Sequence, residues 1–274
     1  MFIKILKAIF LGLVEGVTEW LPISSTGHML LVDEFLNLGM GDAFKEMFIV
    51  VVQFGAILAV IIMFWKKIMP IKVNEGGVFL SKKISFMWVK IFVASIPAGI
   101  IGFLFDDKID TLFYNPTTVG IMLIVYGILF IAIEINNKGK KPKIKITDDM
   151  DYKTAFLMGV FQALSLIPGT SRSGATIVGG LIFGVSRTAA AEFSFFMAIP
   201  AMLVASLFKL IKFGFNFTGV EVAVLLSGMI VAFIVSVFII RFLMNYIKRH
   251  DFRVFGWYRI FLGAIVLVYF LLIV

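Results

Sequence analysis

Long apolar runs separated by short polar stretches set the pattern of this chain. Six runs are long enough to cross a bilayer as helices, and they are placed near residues 44–64, 87–104, 116–135, 191–213, 219–242 and 254–274. Two further apolar regions, 2–36 and 154–184, are each interrupted by a polar segment. Glu15-Gly-Val-Thr-Glu19-Trp-Leu-Pro22-Ile-Ser24-Ser25-Thr26-Gly27-His28 breaks the first. Gln162-Ala-Leu-Ser-Leu-Ile-Pro168-Gly-Thr170-Ser171-Arg172-Ser173-Gly174 breaks the second. Backbone released from a helix at membrane depth is tolerated only where protein buries it or water reaches it. The half-segments are too short to span alone, so both regions are expected to be re-entrant helical hairpins, each entering and leaving on one side.

The two breaks share a register. Gly12 and Gly159, and likewise Gly27 and Gly174, stand 147 positions apart, as do Gln53 and Pro200. The pattern predicts an all-α integral membrane fold with six transmembrane helices, two re-entrant hairpins and an internal repeat. Residues 1–135 form the first repeat, 136–153 a polar connecting loop and 154–274 the second repeat, all within one membrane domain. Three spans per repeat is an odd number, so the second copy starts on the opposite side and the repeat is inverted. Transporters with inverted repeats place ligand sites where broken helices meet near the midplane.

Composition agrees with this reading. Of 274 residues, 61% are hydrophobic, well above a soluble domain. The net charge of +8 does not indicate nucleic acid, because Lys and Arg concentrate in the stretches 65–86, 136–153, 184–190 and 241–253, all on one side of the predicted topology. The positive-inside rule makes that side cytoplasmic and puts the first hairpin, with Asp106, Asp107 and Asp110 in a loop, on the outer side. The absence of cysteine excludes disulfides and thiolate chemistry. Lys4 and Lys7 before an apolar run resemble a signal peptide, but no small-residue cleavage site follows, so the segment is read as mature protein.

The chemistry lies in the breaks. Glu15 and Glu19 share a helix face, and at that spacing two carboxylates repel by about 3 kcal/mol at an effective dielectric of about 20. A shared proton or a divalent cation relieves this, which marks them as a general base or metal ligands. Pro22 ends the first helix, and Ser24, Ser25 and Thr26 then open the next one, where free amides, hydroxyls and the dipole favour an anion. Simple capping needs one hydroxyl, and three are present. His28 adds an imidazole one turn on. In the second break Arg172, between Ser171 and Ser173, needs an anionic partner at membrane depth: a carboxylate or a bound phosphate. Gly12-x-x-x-Gly16 and Gly180-x-x-x-Gly184 suit close contact between the hairpins, Lys90, Glu134 and Arg259 are expected to snorkel from span ends, and Glu192 suits a helix start. The set points to phosphate chemistry at a membrane, either a lipid phosphate hydrolase or a carrier of a phosphorylated lipid. A purely structural subunit leaves the polar cluster without a reason.

Both breaks resemble the signatures of the bacterial undecaprenyl-diphosphate phosphatases of the bacitracin-resistance type, and Gln53-Phe-Gly-Ala-Ile-Leu-Ala-Val and Glu192-Phe-Ser-Phe-Phe-Met-Ala-Ile-Pro200 extend the likeness along the chain. The resemblance implies hydrolysis of undecaprenyl diphosphate to undecaprenyl phosphate and inorganic phosphate. It implies recycling of the carrier for peptidoglycan synthesis, bacitracin resistance, and a plasma-membrane location with a site open to the outer, periplasmic face. A divalent cation, Mg2+ or Ca2+, is implied at Glu15 and Glu19. Glu19, Ser25, His28 and Arg172 are then the expected catalytic residues. Ser24, Thr26, Gly27, Thr170, Ser171, Ser173 and Gly174 are expected to bind substrate. Partners are a polyprenyl diphosphate, membrane lipid and, as one option, a second copy in a homodimer; no nucleic acid is expected. The alternative from another class is a transporter or flippase of a phosphorylated lipid working from the same site.

Overall fold

The computed structural model describes residues 1–74 and 77–272. Its helices are α1 (Phe2–Thr18), α2 (Ser25–Phe35), α3 (Asp42–Met63), α4 (Trp65–Ile68), α5 (Lys82–Phe113), α6 (Pro116–Asn136), α7 (Tyr152–Leu164), α8 (Arg172–Ile182), α9 (Arg187–Phe213), α10 (Gly219–Tyr246) and α11 (Arg253–Leu272). Six of them, α3, α5, α6, α9, α10 and α11, contain windows long and apolar enough to cross a membrane, each 19–28 residues long with mean hydropathy of 1.9–2.9. All six predicted spans are present, so the chain is an all-helical, multi-pass membrane protein. The two interrupted regions are the pairs α1–α2 and α7–α8, each helix packing on its partner.

Differences from expectation lie at the ends of elements. The stretch 65–86, read as a loop, holds α4 and a hairpin of β1 (Ile71–Asn74) and β2 (Gly77–Leu80), paired antiparallel with Ile71 opposite Leu80. Helix α5 extends well past the predicted 87–104, because its polar ends keep the helical backbone bonds without interruption. The expected outer loop at 106–110 is therefore helical backbone; the side chains of Asp106, Asp107 and Asp110 lie outside the described ones. The connector 136–153 is partly ordered by a bridge between Ile144 and Val185 and by a 3-10 turn at Thr147–Asp149. Asp151 caps α7 by accepting from the Thr154 amide at 2.6 Å, and that bond holds its carboxyl below the usual range.

Packing relies on small residues. Gly12 and Gly16 do not face the second hairpin as expected; they sit against Gly228 and Ala232 of α10, and a Cβ at Gly12 would overlap the α10 backbone. Gly159 in α7 meets Ala94 of α5 in the same way. In lipid there is little hydrophobic drive between helices, so such close backbone approach supplies the packing energy. The long helices α6 and α11 run antiparallel, with Gly120 against Gly263 and Gly127 against Gly256. Helices α2 and α8 both pack on α6, which brings the two breaks to one region of the bundle.

Candidate active site

Each break is built by the same local rule. Helix α1 ends at Thr18, whose hydroxyl donates back to Val14 O at 2.8 Å. Pro22 offers no amide to continue it. Ser24 then caps α2, its Oγ accepting from the Gly27 amide at 3.3 Å. In the second break Ser165 and Ile167 make tight turns, Gly169 takes a positive φ of 89°, and Ser171 caps α8 through the Gly174 amide at 3.2 Å. Ser24 (φ 72°) and Ser171 (φ 69°) are the only non-glycine residues with positive φ among the described residues. They too stand 147 apart. A left-handed serine is strained by roughly 1–2 kcal/mol, and such strain is kept where the surroundings over-determine it, commonly at functional sites. The cap leaves the first amides of α2 and α8 without acceptors in their own helices, which is the anion-binding end of a helix.

The two breaks meet at Glu19. Ser25 Oγ donates to Glu19 Oε2 at 2.8 Å, while Arg172 Nη2 donates to Glu19 Oε1 at 3.2 Å. Ser173 Oγ donates to the backbone oxygen of Glu19 at 3.2 Å. One carboxylate thus holds a hydroxyl from the first copy and a guanidinium from the second. Arg172 is further fixed by Ser194 O, which accepts from Nη1 at 2.7 Å, and by the Trp20 ring, 5.8 Å from its guanidinium carbon. Its Nε is buried with no hydrogen-bond partner. Glu15 Oε1, one turn below Glu19, and Thr170 Oγ1 are buried and unpartnered in the same way. Buried polar atoms are nearly always bonded, so these stand out, as do Trp20 Nε1, Gln162 Oε1 and Ser236 Oγ.

His28 makes no hydrogen bond to Ser25 or Glu19. Its Nδ1 lies 2.7 Å from Ser24 O, and its Nε2 lies 2.7 Å from the Tyr258 hydroxyl, on which the ring also stacks. A carbonyl only accepts, so Nδ1 carries a proton and Nε2 of the neutral ring receives the Tyr258 hydrogen. Ser171 Oγ and Ser173 Oγ are 3.2 Å apart. Thr26 is half-buried beside Ser25. Gly27 and Gly174 leave room: a Cβ on Gly27 would press on Leu123 at 3.0 Å, and one on Gly174 would press on Arg259 at 3.1 Å.

Three residues were not singled out as site groups from sequence. Ser194 anchors Arg172 and also bonds Thr176 Oγ1 at 2.6 Å. Tyr258 holds His28. Arg259, expected to snorkel, is fully buried and bonds backbone of both breaks. An arginine inside an apolar helix was the available signal. Glu134 also fails to snorkel, being buried against Arg187, with Nε at 2.8 Å. Glu192 lies away from the breaks, accepting from Lys67 at 2.5 Å and Thr147 at 2.8 Å, because α9 starts at the connector side.

The family comparison decides the assignment. A family described as "Bacitracin resistance protein BacA" matches residues 8–265. The chain belongs to this family. It is 61% identical over 268 residues to an undecaprenyl-diphosphatase of Enterococcus faecalis, covering 97% of each chain. It is 62% identical over 269 residues to the undecaprenyl-diphosphatase of Desulfitobacterium hafniense, covering 98% of this chain and 96% of the relative. A third relative, undecaprenyl-diphosphatase 1 of Clostridium acetobutylicum, is 60% identical over 272 residues, with 99% of each covered. In this BacA-family chain the matched segment takes in both breaks, Tyr258 and Arg259.

Proposed function

We propose that this chain removes the terminal phosphate of undecaprenyl diphosphate, giving inorganic phosphate and undecaprenyl phosphate. That product re-enters peptidoglycan synthesis as lipid carrier, and depletion of the diphosphate confers bacitracin resistance. The observation that carries the reading is the Glu19 carboxylate shared by Ser25 and Arg172. A hydroxyl bonded to a carboxylate is an activated nucleophile, and a guanidinium beside it is a charge clamp for phosphoryl oxygens. Ser25 Oγ attacks the terminal phosphorus and its proton passes to Glu19. The bond from that phosphorus to the bridging oxygen breaks, and undecaprenyl phosphate leaves. Water then attacks the phosphoserine, releasing inorganic phosphate and restoring Ser25. The unpartnered Nε–H of Arg172 and the open amides of α2 and α8 receive the developing charge. His28, held by Ser24 and Tyr258, stands at the rim of the headgroup site as a proton carrier.

A divalent cation fits the donor set. Glu15 offers a buried oxygen, Oε1, without a partner and Glu19 a second carboxylate one turn away, an all-oxygen pair of the kind that could hold Mg2+ or Ca2+ while phosphate oxygens and water fill the remaining positions. When bound, the ion would neutralise substrate charge.

The matched positions of Ser24 and Ser171, together with the pairing of α1 with α10 and of α7 with α5, support an inverted repeat of two re-entrant hairpins. With the basic connectors on the cytoplasmic side of a bacterial plasma membrane, the site opens to the outer face.

Phosphate release from undecaprenyl diphosphate by detergent-purified protein is the test. Release is expected, stopping with chelator and returning with added Mg2+ or Ca2+. No release at all, with lipid crossing vesicle bilayers instead, would favour the carrier. Glu19→Gln is expected to slow release by about 10²–10⁴-fold, the usual worth of a positioned base; turnover near normal would remove Glu19 as proton acceptor.

A further inference from the structure

Among the described residues, Arg259 is the second-largest fully buried side chain, after Trp20. Among the described residues no carboxylate pairs with it. Its acceptors are backbone oxygens: Pro22 O at 3.2 Å from Nη1, Gly169 O at 2.8 Å and Thr170 O at 2.9 Å from Nη2, and longer contacts to Leu123 O at 3.4 Å and Met122 O at 3.5 Å. Tyr126 presents its ring to the guanidinium at 5.6 Å. A buried charge without a counter-ion is costly to keep, so its placement needs a reason.

The acceptors supply one. Pro22 lies two residues before the Ser24 cap, and Gly169–Thr170 immediately precede the Ser171 cap. These carbonyls belong to backbone outside α1, α2, α7 and α8. One planar guanidinium reaches both bends at once, using a different nitrogen for each. The polar contacts it makes all go to backbone carbonyls. Gly174, the third residue of α8, clears the path, since a Cβ there would meet Nη1 at 3.1 Å.

We infer that Arg259 is a positioning residue of the phosphatase: it ties the two bends together so that Ser25, from the first, and Arg172, from the second, meet on the Glu19 carboxylate. This rests on the activity proposed above. Lysine keeps the charge but is a point donor that cannot span both bends in one plane. Glutamine removes the charge and one arm.

Arg259→Lys and Arg259→Gln are compared with the parent protein for melting temperature in detergent, kcat and KM for phosphate release. The expected result is a folded Arg259→Lys protein with kcat lowered by about 100-fold, the scale of an ångström of misplacement, and KM within about threefold. Combined with Arg172→Lys, the loss should be smaller than the product of the two single losses, because both changes spoil one alignment. A merely structural role predicts independent, multiplicative losses. The inference is overturned by a folded variant with kcat within about threefold of the parent, or by a rise in KM alone, which would mean direct substrate binding. Failure of both variants to fold overturns it too, since Arg259 would then serve the fold itself. Absence of phosphate release by the parent protein would instead defeat the proposed activity.

Discussion

Replacing Ser25 with alanine is expected to lower phosphate release by about 10⁴-fold or more, the scale on which loss of a nucleophile acts in serine enzymes. The Ser25 hydroxyl is bonded to Glu19 Oε2 at 2.8 Å, the geometry for losing a proton as Oγ attacks. The side chain is small and only part-buried, so alanine removes one hydrogen bond and leaves α2 intact; the Ser24 cap, which starts the helix, is untouched. The measurement is single-turnover phosphate release beside a melting curve. A folded Ser25→Ala protein that keeps a tenth of the parent rate would exclude a phosphoserine intermediate and move the attack to water.

Arg172→Ala should cost a comparable amount, about 10³–10⁵-fold in kcat, because phosphoryl transfer depends chiefly on placing positive charge against the equatorial oxygens. The guanidinium is held on three sides, by Glu19, Ser194 and Trp20, while its Nε–H has no partner and remains to bond elsewhere. The substitution also strands the Glu19 carboxylate, and breaking a buried pair costs about 3–5 kcal/mol of stability. Arg172→Lys separates the two effects. It keeps a cation for Glu19 but cannot hold Glu19, Ser194 and a phosphate oxygen together, so stability should largely return while most of the rate stays lost. Near-normal turnover in folded Arg172→Lys would show that charge alone, without the planar fork, suffices.

Much of this architecture is legible in the linear chain. The six spans are visible because a bilayer demands about twenty apolar residues in a row, and nothing in the connectors competes with that signal. The helix starts at Ser25 and Arg172 were also legible, since proline followed by a hydroxyl residue has few other local outcomes. The ends of elements were less so. Helix α5 continues through polar residues because backbone bonding, not hydropathy, sets where a helix stops. The β1–β2 hairpin has only four residues per strand, too few for a periodic pattern to stand out.

The partners in the site were partly hidden. Glu15, Glu19, Ser25 and Arg172 are conspicuous as polar residues in oily surroundings, so their involvement could be argued from cost alone. That Glu19 rather than His28 receives the Ser25 hydrogen could not, because both lie within a few residues of Ser25 and only the turn of the backbone chooses between them. Glu192 and Arg259 show the same limit in opposite directions. One polar residue near a span end was driven to the connector side and the other to the centre, and hydropathy does not distinguish them.

The chain by itself therefore determines that this is a helical membrane protein with two matched breaks, each rich in groups suited to phosphate, since those features follow from local rules about solvation and helix ends. Only the tertiary structure decides that Glu19 joins Ser25 to Arg172, that Tyr258 holds His28, and that Arg259 bonds both bends. Those contacts join residues up to 237 positions apart, and their geometry is set by how closely small residues let the helices approach rather than by any local preference.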